Sequence, residues 1–94
     1  MAMRPTNWTS SRENVMKPSR IIEKYGWTKG TFGNRESGFC LVGALHEAYP
    51  ENLTKRWNIK ERIREYLGKL AIVFNDAKKT KKEDVLKLLK VMGE

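Results

Sequence analysis

The stretch GFCLVGALHEAY, residues 38–49, decides the fold because it predicts a central helix. On a helical wheel one set of residues covers about half of the circumference, which indicates a helix packed on several sides: Cys40, Leu41, Ala44, Leu45, Ala48 and Tyr49. Ser37 is positioned to cap this helix, and Pro50 ends it. Gly43 and Ala44 leave room for another backbone to approach closely.

The sequence on both sides of residues 38–49 predicts further helices. Upstream, a helix runs from about Pro18 to Tyr25 and ends at Gly26. Downstream, Asn58 caps a long helix with one apolar stripe, formed by Ile59, Ile63, Tyr66, Leu67, Leu70 and Phe74. Thr80 and Glu83 have the spacing of a capping box for a last helix, whose apolar face carries Val85, Leu88, Leu89 and Met92.

The length and the loops complete the predicted architecture. Ninety-four residues make one domain. We expect a loose arm over residues 1–14, with Trp8 folded back and a capping-box spacing at Ser10 and Glu13, and one helical domain over residues 15–94. The glycine-rich loop Gly26–Gly38 permits a short hairpin around Gly30 or Gly33. The predicted fold class is therefore mainly α: a compact single domain of about four helices with a short hairpin, and with a core of Cys40, Ala44, Leu45, Ile63, Leu67, Leu70, Val85 and Leu88.

The chain is basic, with a net charge of +8. Cations cluster before the last helix and along the long one, and they include Lys78, Lys79, Lys81, Lys82, Arg56, Lys60 and Arg64. Four cations at a helix N-terminus oppose its dipole, so they do not serve local helix stability. They indicate either a solvated face or a surface for an anionic partner, which is an acidic protein surface or a nucleic acid. No recognised DNA- or RNA-binding signature accompanies them.

The only cysteine and the only histidine raise the question of catalysis. A cysteine early in a helix favours a thiolate, but burial in the core is the alternative that we prefer. In a helix, Cys40 and His46 are separated by about 9 Å along the axis and about 120° around it, so they cannot pair. One cysteine and one histidine do not make a zinc site. The sequence predicts no catalytic residue, metal or cofactor.

A second candidate site is a pocket where the glycine loop meets the predicted Asn–Asp turn. Its residues would be Trp27, Lys29, Cys40, His46, Asn75 and Asp76. The competing interpretation is local, because Asn and Asp favour turns by bonding their own backbone. Likewise, a tryptophan beside a glycine turn is typical of a cover over the core.

The order of these motifs resembles an uncharacterised family of short bacterial and phage proteins. The resemblance rests on Gly26-Trp27 with Gly30, on Cys40-x-x-Gly43-Ala44-Leu45 and on Asn75-Asp76, followed by Thr80 and Val85, and it covers about residues 15–92. Lys29 stands where the family pattern has glutamine. The resemblance implies a phage or mobile-element context, and it implies that the loop, the cysteine helix and the Asn–Asp turn meet in space. It implies no activity.

Three hypotheses for the function follow. The first is a small non-enzymatic basic binding module that masks or recruits a host macromolecule. The alternatives are direct nucleic-acid binding and a small enzyme or ligand-binding pocket around Trp27, Cys40 and Asp76. The chain has no apolar run near the ~18 residues of a membrane span, its first residues lack the apolar core of a signal peptide, and we expect a cytoplasmic protein. The oligomeric state stays open, and a dimer is compatible with the sequence.

Overall fold

A computed structural model describes residues 16–94 as a mainly α domain with a small two-stranded antiparallel sheet. Over this range the chain forms α1 (Pro18–Tyr25), β1 (Gly33–Asn34), β2 (Gly38–Phe39), α2 (Leu41–Ala48), α3 (Leu53–Leu67), α4 (Ala71–Asp76) and α5 (Lys82–Val91). The predicted fold class is confirmed, including the hairpin in the glycine-rich loop. The predicted arm, with Trp8 and the Ser10–Glu13 spacing, lies outside the described residues.

Helix α2 occupies the centre of the domain, as its wide apolar face predicts. It packs against α1, α3, α4 and β2, and α1 in turn packs against α5. Six of its eight residues are buried. Gly43 faces the loop so closely that a Cβ atom there would overlap the carbonyl oxygen of Phe32. The prediction that Gly43 admits another backbone is therefore confirmed.

The core draws apolar side chains from every helix. Burying each large one contributes about 1.5–3 kcal/mol, and the fully buried ones include Ile21, Ile22, Leu41, Leu45, Ile59, Ile63, Val85 and Leu89. Of the predicted core, Cys40, Ala44, Leu45, Ile63, Val85 and Leu88 are buried.

The start of α2 lies later than predicted. Cys40, and not Ser37, is the N-cap residue, and its Sγ accepts a hydrogen bond from the Gly43 N–H at 3.2 Å. Ser37 lies in the hairpin turn, where its N–H and hydroxyl both donate to Asn34 Oδ1. The reason is that β2 extends the chain as far as Phe39, so the helix cannot begin before it.

The predicted long helix is two helices. Helix α3 begins at Leu53, five residues before the predicted cap, because Asn52 Oδ1 accepts from the Lys55 N–H at 3.0 Å. It ends at Leu67, where Gly68 adopts a left-handed conformation with φ of 76° and terminates the helix. The change of direction places Leu70 outside the core, with 55 % of its surface exposed.

Three more residues of the predicted stripe also differ from expectation. Leu67 and Phe74 are only partly buried, and Tyr66 is exposed. The start of the last helix is shifted by one residue as well: the Lys81 N–H donates to the Asp84 carboxylate at 2.9 Å. The predicted capping box of Thr80 and Glu83 is therefore wrong, and Thr80 is buried.

The residues after α5 bind the start of α1. The main-chain oxygen of Glu94 accepts from the Ser19 N–H at 3.1 Å and from its hydroxyl at 3.0 Å. The Glu94 side chain accepts from the Tyr49 hydroxyl at 2.5 Å, and Gly93 O accepts from Lys17 Nζ at 3.0 Å. These bonds hold α1, α2 and α5 together at one end of the domain. We call this set the C-terminal strap.

Candidate functional site

Asn75 lies at the end of α4 and joins three segments of the chain. Its side chain is fully buried. The Oδ1 atom accepts from Trp27 Nε1 at 2.6 Å and from the Leu41 N–H at 2.9 Å. Its Nδ2 atom donates to Thr28 O at 3.1 Å and to Asp76 Oδ1 at 3.0 Å. We call this set of residues the Asn75 network.

Two neighbouring residues close the glycine loop over the network. Asp76 Oδ1 also accepts from the Gly30 N–H at 3.0 Å. The hydrogen bond from Asn75, then that from Gly30 and the charge of Lys29 lower the pKa of Asp76. The Lys29 ammonium donates to Ala77 O at 2.6 Å and lies 5.3 Å from the centre of the Trp27 ring. Lys29 therefore contacts both the Trp27 ring in the loop and the main chain at the end of α4.

Cys40 borders this network but is closed to solvent. Its side chain has no exposed surface. Burial raises the pKa of the thiol, against the opposing effect of the Gly43 and Val42 N–H groups at the helix start. A buried neutral thiol is a poor nucleophile.

The structure thus brings together five of the six residues of the predicted pocket. Trp27, Lys29, Asn75 and Asp76 are joined by hydrogen bonds and ring contacts, and Cys40 precedes Leu41, which donates to Asn75. The loop, the cysteine helix and the Asn–Asp segment do meet in space. His46 lies apart from them and stacks on Phe32, with the ring centres 5.4 Å apart.

The predicted basic residues fall into two groups. Lys78, Lys79 and Lys81 are exposed and Lys82 is partly exposed, and none of them forms an ion pair with any residue of the range 16–94. The cations of α3 have different surroundings. Arg56 donates to Tyr49 O at 2.6 Å and to Pro50 O at 2.9 Å. Arg64 pairs with Glu61 at 2.9 Å.

An open apolar cleft of about 280 Å³ lies between α3 and α4. It is lined by Phe32, Val42, Trp57, Lys60, Glu61, Leu70, Ala71 and Ile72. Phe32, Trp57 and Leu70 are 53 %, 58 % and 55 % exposed, and Ile72 is exposed as well. Single exposed apolar side chains are common on protein surfaces, whereas larger contiguous apolar patches are typical of interaction sites. We call this surface the apolar cleft.

The rim of the apolar cleft carries uncompensated positive charge. Lys60 lines it and forms no ion pair among the described residues. Glu61 also lines it, but Arg64 neutralises its carboxylate. Partial burial, and then the charges of Arg56 and Lys60, lower the pKa of His46, so these two cations lie near the Phe32–His46 stack.

This cleft was not predicted from the sequence, although two signals indicated that Trp57 and Leu70 lie outside the core. Trp57 lies two residues before Ile59, which is about 200° around a helix, so it faces away from the buried stripe. Gly68 is a residue that ends helices, and a helix that stops there cannot carry Leu70 on its buried stripe.

Two further properties concern the part of the chain that the structure describes. None of the helices within residues 16–94 has the length and apolarity that a membrane crossing requires. In the same range, no three His, Cys, Asp or Glu side chains are grouped so that they could hold a metal ion.

Comparison with known proteins identifies one family. The model of a family of unknown function (DUF6197) matches residues 9–93, a range that includes the whole Asn75 network and the whole apolar cleft. No curated protein matches the chain, and no solved structure matches it either.

Proposed function

The chain belongs to this family, whose function is unknown, and we propose from its surface geometry that it is a small non-enzymatic binding module. The apolar cleft is its contact surface, and its partner is a protein with an acidic surface. The observation that supports this proposal is that large apolar side chains are exposed together in one cleft. Aromatic residues are enriched at the centres of protein interfaces, which suits Phe32 and Trp57.

The charge of the chain favours an acidic partner. A net charge of +8 attracts acidic surfaces and repels other basic ones at low ionic strength. In the context that the resemblance implies, the module acts in the cytoplasm and masks or recruits a host macromolecule. A lone cysteine is compatible with that reducing compartment.

The experiment compares variants that add the same charge at different places. Purified wild-type protein, Trp57→Lys and Leu70→Lys are used to capture proteins from a bacterial lysate, with Val91→Lys as the matched control. Val91 is 54 % exposed and does not line the cleft. We expect at least one protein to be retained by the wild type and by Val91→Lys and lost with both cleft variants. The same retained set for all four chains would contradict the proposal.

Direct nucleic-acid binding is the second candidate function. It is favoured by the exposure of Lys78, Lys79 and Lys81 without ion pairs among the described residues. Phosphate binding releases counterions, so affinity for a short duplex or single strand should fall steeply with salt. Replacing Lys78, Lys79, Lys81 and Lys82 by alanine should abolish the binding. Unchanged affinity would exclude this site.

The pocket hypothesis has the least support. The polar side chains of the Asn75 network bond one another, and the Cys40 thiol is buried. An enzyme with this thiol as its nucleophile requires fast reaction with a thiol reagent in the native state. We expect Cys40 to react only when urea unfolds the chain. Rapid labelling in native buffer would revive the pocket hypothesis.

A further inference from the structure

We propose that the partner segment bound by the apolar cleft is an amphipathic α-helix with acidic residues beside its apolar face. This inference rests on the proposed function and specifies the chemistry of the partner. It follows from two properties of the cleft: the kind of backbone that surrounds it and the charge at its rim.

The backbone around the cleft favours a helical occupant. Of its eight lining residues, six belong to helices α2, α3 and α4, and none belongs to strand β1 or β2. The carbonyl groups of the other two, Phe32 and Leu70, accept from the Cys40 and Phe74 N–H groups. An extended peptide binds by pairing its main chain with an open strand edge, and such an edge does not line this cleft. A helix satisfies its own main chain and needs only an apolar groove for its side chains.

The charge at the rim favours acidic flanking residues. Glu61 is the one carboxylate among the lining residues, and it is already paired with Arg64. Lys60 is not paired within the described range, and Arg56 is bonded only to neutral carbonyl groups. The rim therefore has positive charge to offer to a partner. The same charge, together with +8 on the chain, opposes a second copy as the occupant.

The test uses designed peptides, because the natural partner is unknown. The probe is a labelled, end-blocked peptide of about 15 residues, long enough to form a helix. It carries leucines at helical spacing, glutamates beside them and alanines elsewhere. One control peptide replaces every glutamate by lysine, and another places a proline at its centre to prevent the helix. Binding is followed by fluorescence anisotropy at low and high salt.

We expect the wild-type protein to prefer the glutamate peptide over the lysine peptide by roughly tenfold at low salt, because Lys60 and Arg56 attract glutamate side chains and repel lysine side chains. High salt should reduce this preference, and the proline peptide should bind weakly. Lys60→Glu should reduce or reverse the preference. Lys87→Glu makes the same change of total charge at an exposed residue of α5 that does not line the cleft. It should leave most of the preference intact.

The possible failures are distinguishable. The acidic-helix inference would be overturned if the lysine peptide bound as tightly as the glutamate peptide. It would also be overturned if the proline peptide bound as tightly as the glutamate peptide. An equal loss of preference in Lys60→Glu and Lys87→Glu would overturn it as well.

If no peptide binds while Trp57→Lys still loses a lysate protein, the inference fails and the proposed function stands. If lysate capture is unaffected by both cleft variants, the proposed function itself fails. Binding of a labelled oligonucleotide at the cleft, or dimerisation lost in Trp57→Lys, would identify a different occupant and refute the acidic helix.

Discussion

At the scale of single residues, Asn75 is a fully buried polar side chain whose hydrogen-bonding groups are all paired with protein groups. Its amide serves two donors and two acceptors from the loop, from α2 and from its own helix. All of this occurs without access to water, because the residue is fully buried. A buried donor that loses its acceptor costs about 1–3 kcal/mol. Asn75 Oδ1 is the acceptor for two donors, so its loss should destabilise the domain substantially.

We therefore predict that Asn75→Ala lowers the free energy of unfolding by about 3 kcal/mol, because the Trp27 Nε1–H and the Leu41 N–H both lose their acceptor. Urea denaturation followed by circular dichroism measures the change. The matched control is Asn34→Ala. Asn34 also accepts several hydrogen bonds, but it is exposed, and water can replace it. An equal cost for the two variants would contradict the importance of the buried network.

His46 should give the domain a pH dependence whose direction follows from its lowered pKa. Its pKa in the folded state lies below the ordinary value of 6.5, chiefly because it is partly buried and then because Arg56 and Lys60 are near. As the pH falls below that value, the unfolded chain binds the proton more readily than the folded one. The stabilising contribution is present above pH 6.5 and is lost as the pH falls through the lower, folded-state pKa.

We predict that the free energy of unfolding decreases between pH 7 and pH 5, and that His46→Gln flattens this decrease. The chain has no other histidine, and ordinary carboxylates titrate at lower pH. Urea denaturation of both proteins at several pH values provides the comparison. The NMR titration of the single imidazole checks the direction of its pKa shift. An unchanged pH profile in His46→Gln would show that another group is responsible.

At the scale of secondary-structure elements, the contact between α2 and the loop depends on one glycine. A Cβ atom on Gly43 would overlap the Phe32 carbonyl oxygen, which also accepts the Cys40 N–H that leads into α2. The obstacle is backbone, so a change of side-chain rotamer cannot relieve it. Any substitution at Gly43 must push the loop away, and with it the Phe32 side of the apolar cleft.

We predict that Gly43→Ala destabilises the domain by at least about 1 kcal/mol, although alanine favours a helix by about 1 kcal/mol over glycine. The overpacking cost is typically about 1–3 kcal/mol. Asn58→Ala is the control, because Asn58 is exposed within α3 and the change improves helix propensity without a clash. It should stabilise by a few tenths of a kcal/mol. Thermal unfolding distinguishes the two signs, and a stabilising Gly43→Ala would disprove the close approach.

How much of each element could be predicted depends on where its boundary signals lie. Helix α1 was predicted with its observed ends because Pro18 and Gly26 are strong local signals. The start of α2 was misplaced because the hairpin pairing extends the chain as far as Phe39, so that Cys40 and not Ser37 caps the helix. The break after α3 was missed because apolar residues keep the same helical spacing on both sides of Gly68, although the helix ends there. Local propensity does not show whether a chain continues as one helix or breaks into two, because tertiary packing decides between these alternatives.

At the scale of the whole molecule, the meeting of distant segments was predictable only in outline. The resemblance implied that the loop, the cysteine helix and the Asn–Asp segment converge, and they do. The fourfold bonding of Asn75 could not be derived from the sequence, because it depends on how α4 is placed against the loop and α2. Nor could the meeting of Trp57 and Leu70 in one cleft, because it depends on how α3 is placed against α4. The clusters of charged residues could be recognised in the sequence, but the ion pairs that neutralise some of those charges could not.

The C-terminal strap is a feature of the whole fold that the spacing of apolar residues along the sequence does not predict. It joins residues more than seventy positions apart, and it supplies an acceptor to the Ser19 N–H in the first turn of α1, where a helix has no internal partner. Its bonds to Ser19, Tyr49 and Lys17 link the first and last helices across α2. Such closure by distant residues should contribute to the cooperativity of unfolding as well as to its free energy.

We predict that deleting Gly93 and Glu94 lowers the free energy of unfolding by about 3 kcal/mol, since several hydrogen bonds of about 1 kcal/mol each are lost. Glu94→Gln keeps the main-chain acceptor and a side-chain oxygen for Tyr49, so it should cost less than about 1 kcal/mol. Urea denaturation monitored at the tryptophans and by circular dichroism measures both. If the deletion costs no more than the glutamine variant, the strap is a surface contact, and the closure of the domain must come from the packing of α1 against α2 and α5 alone.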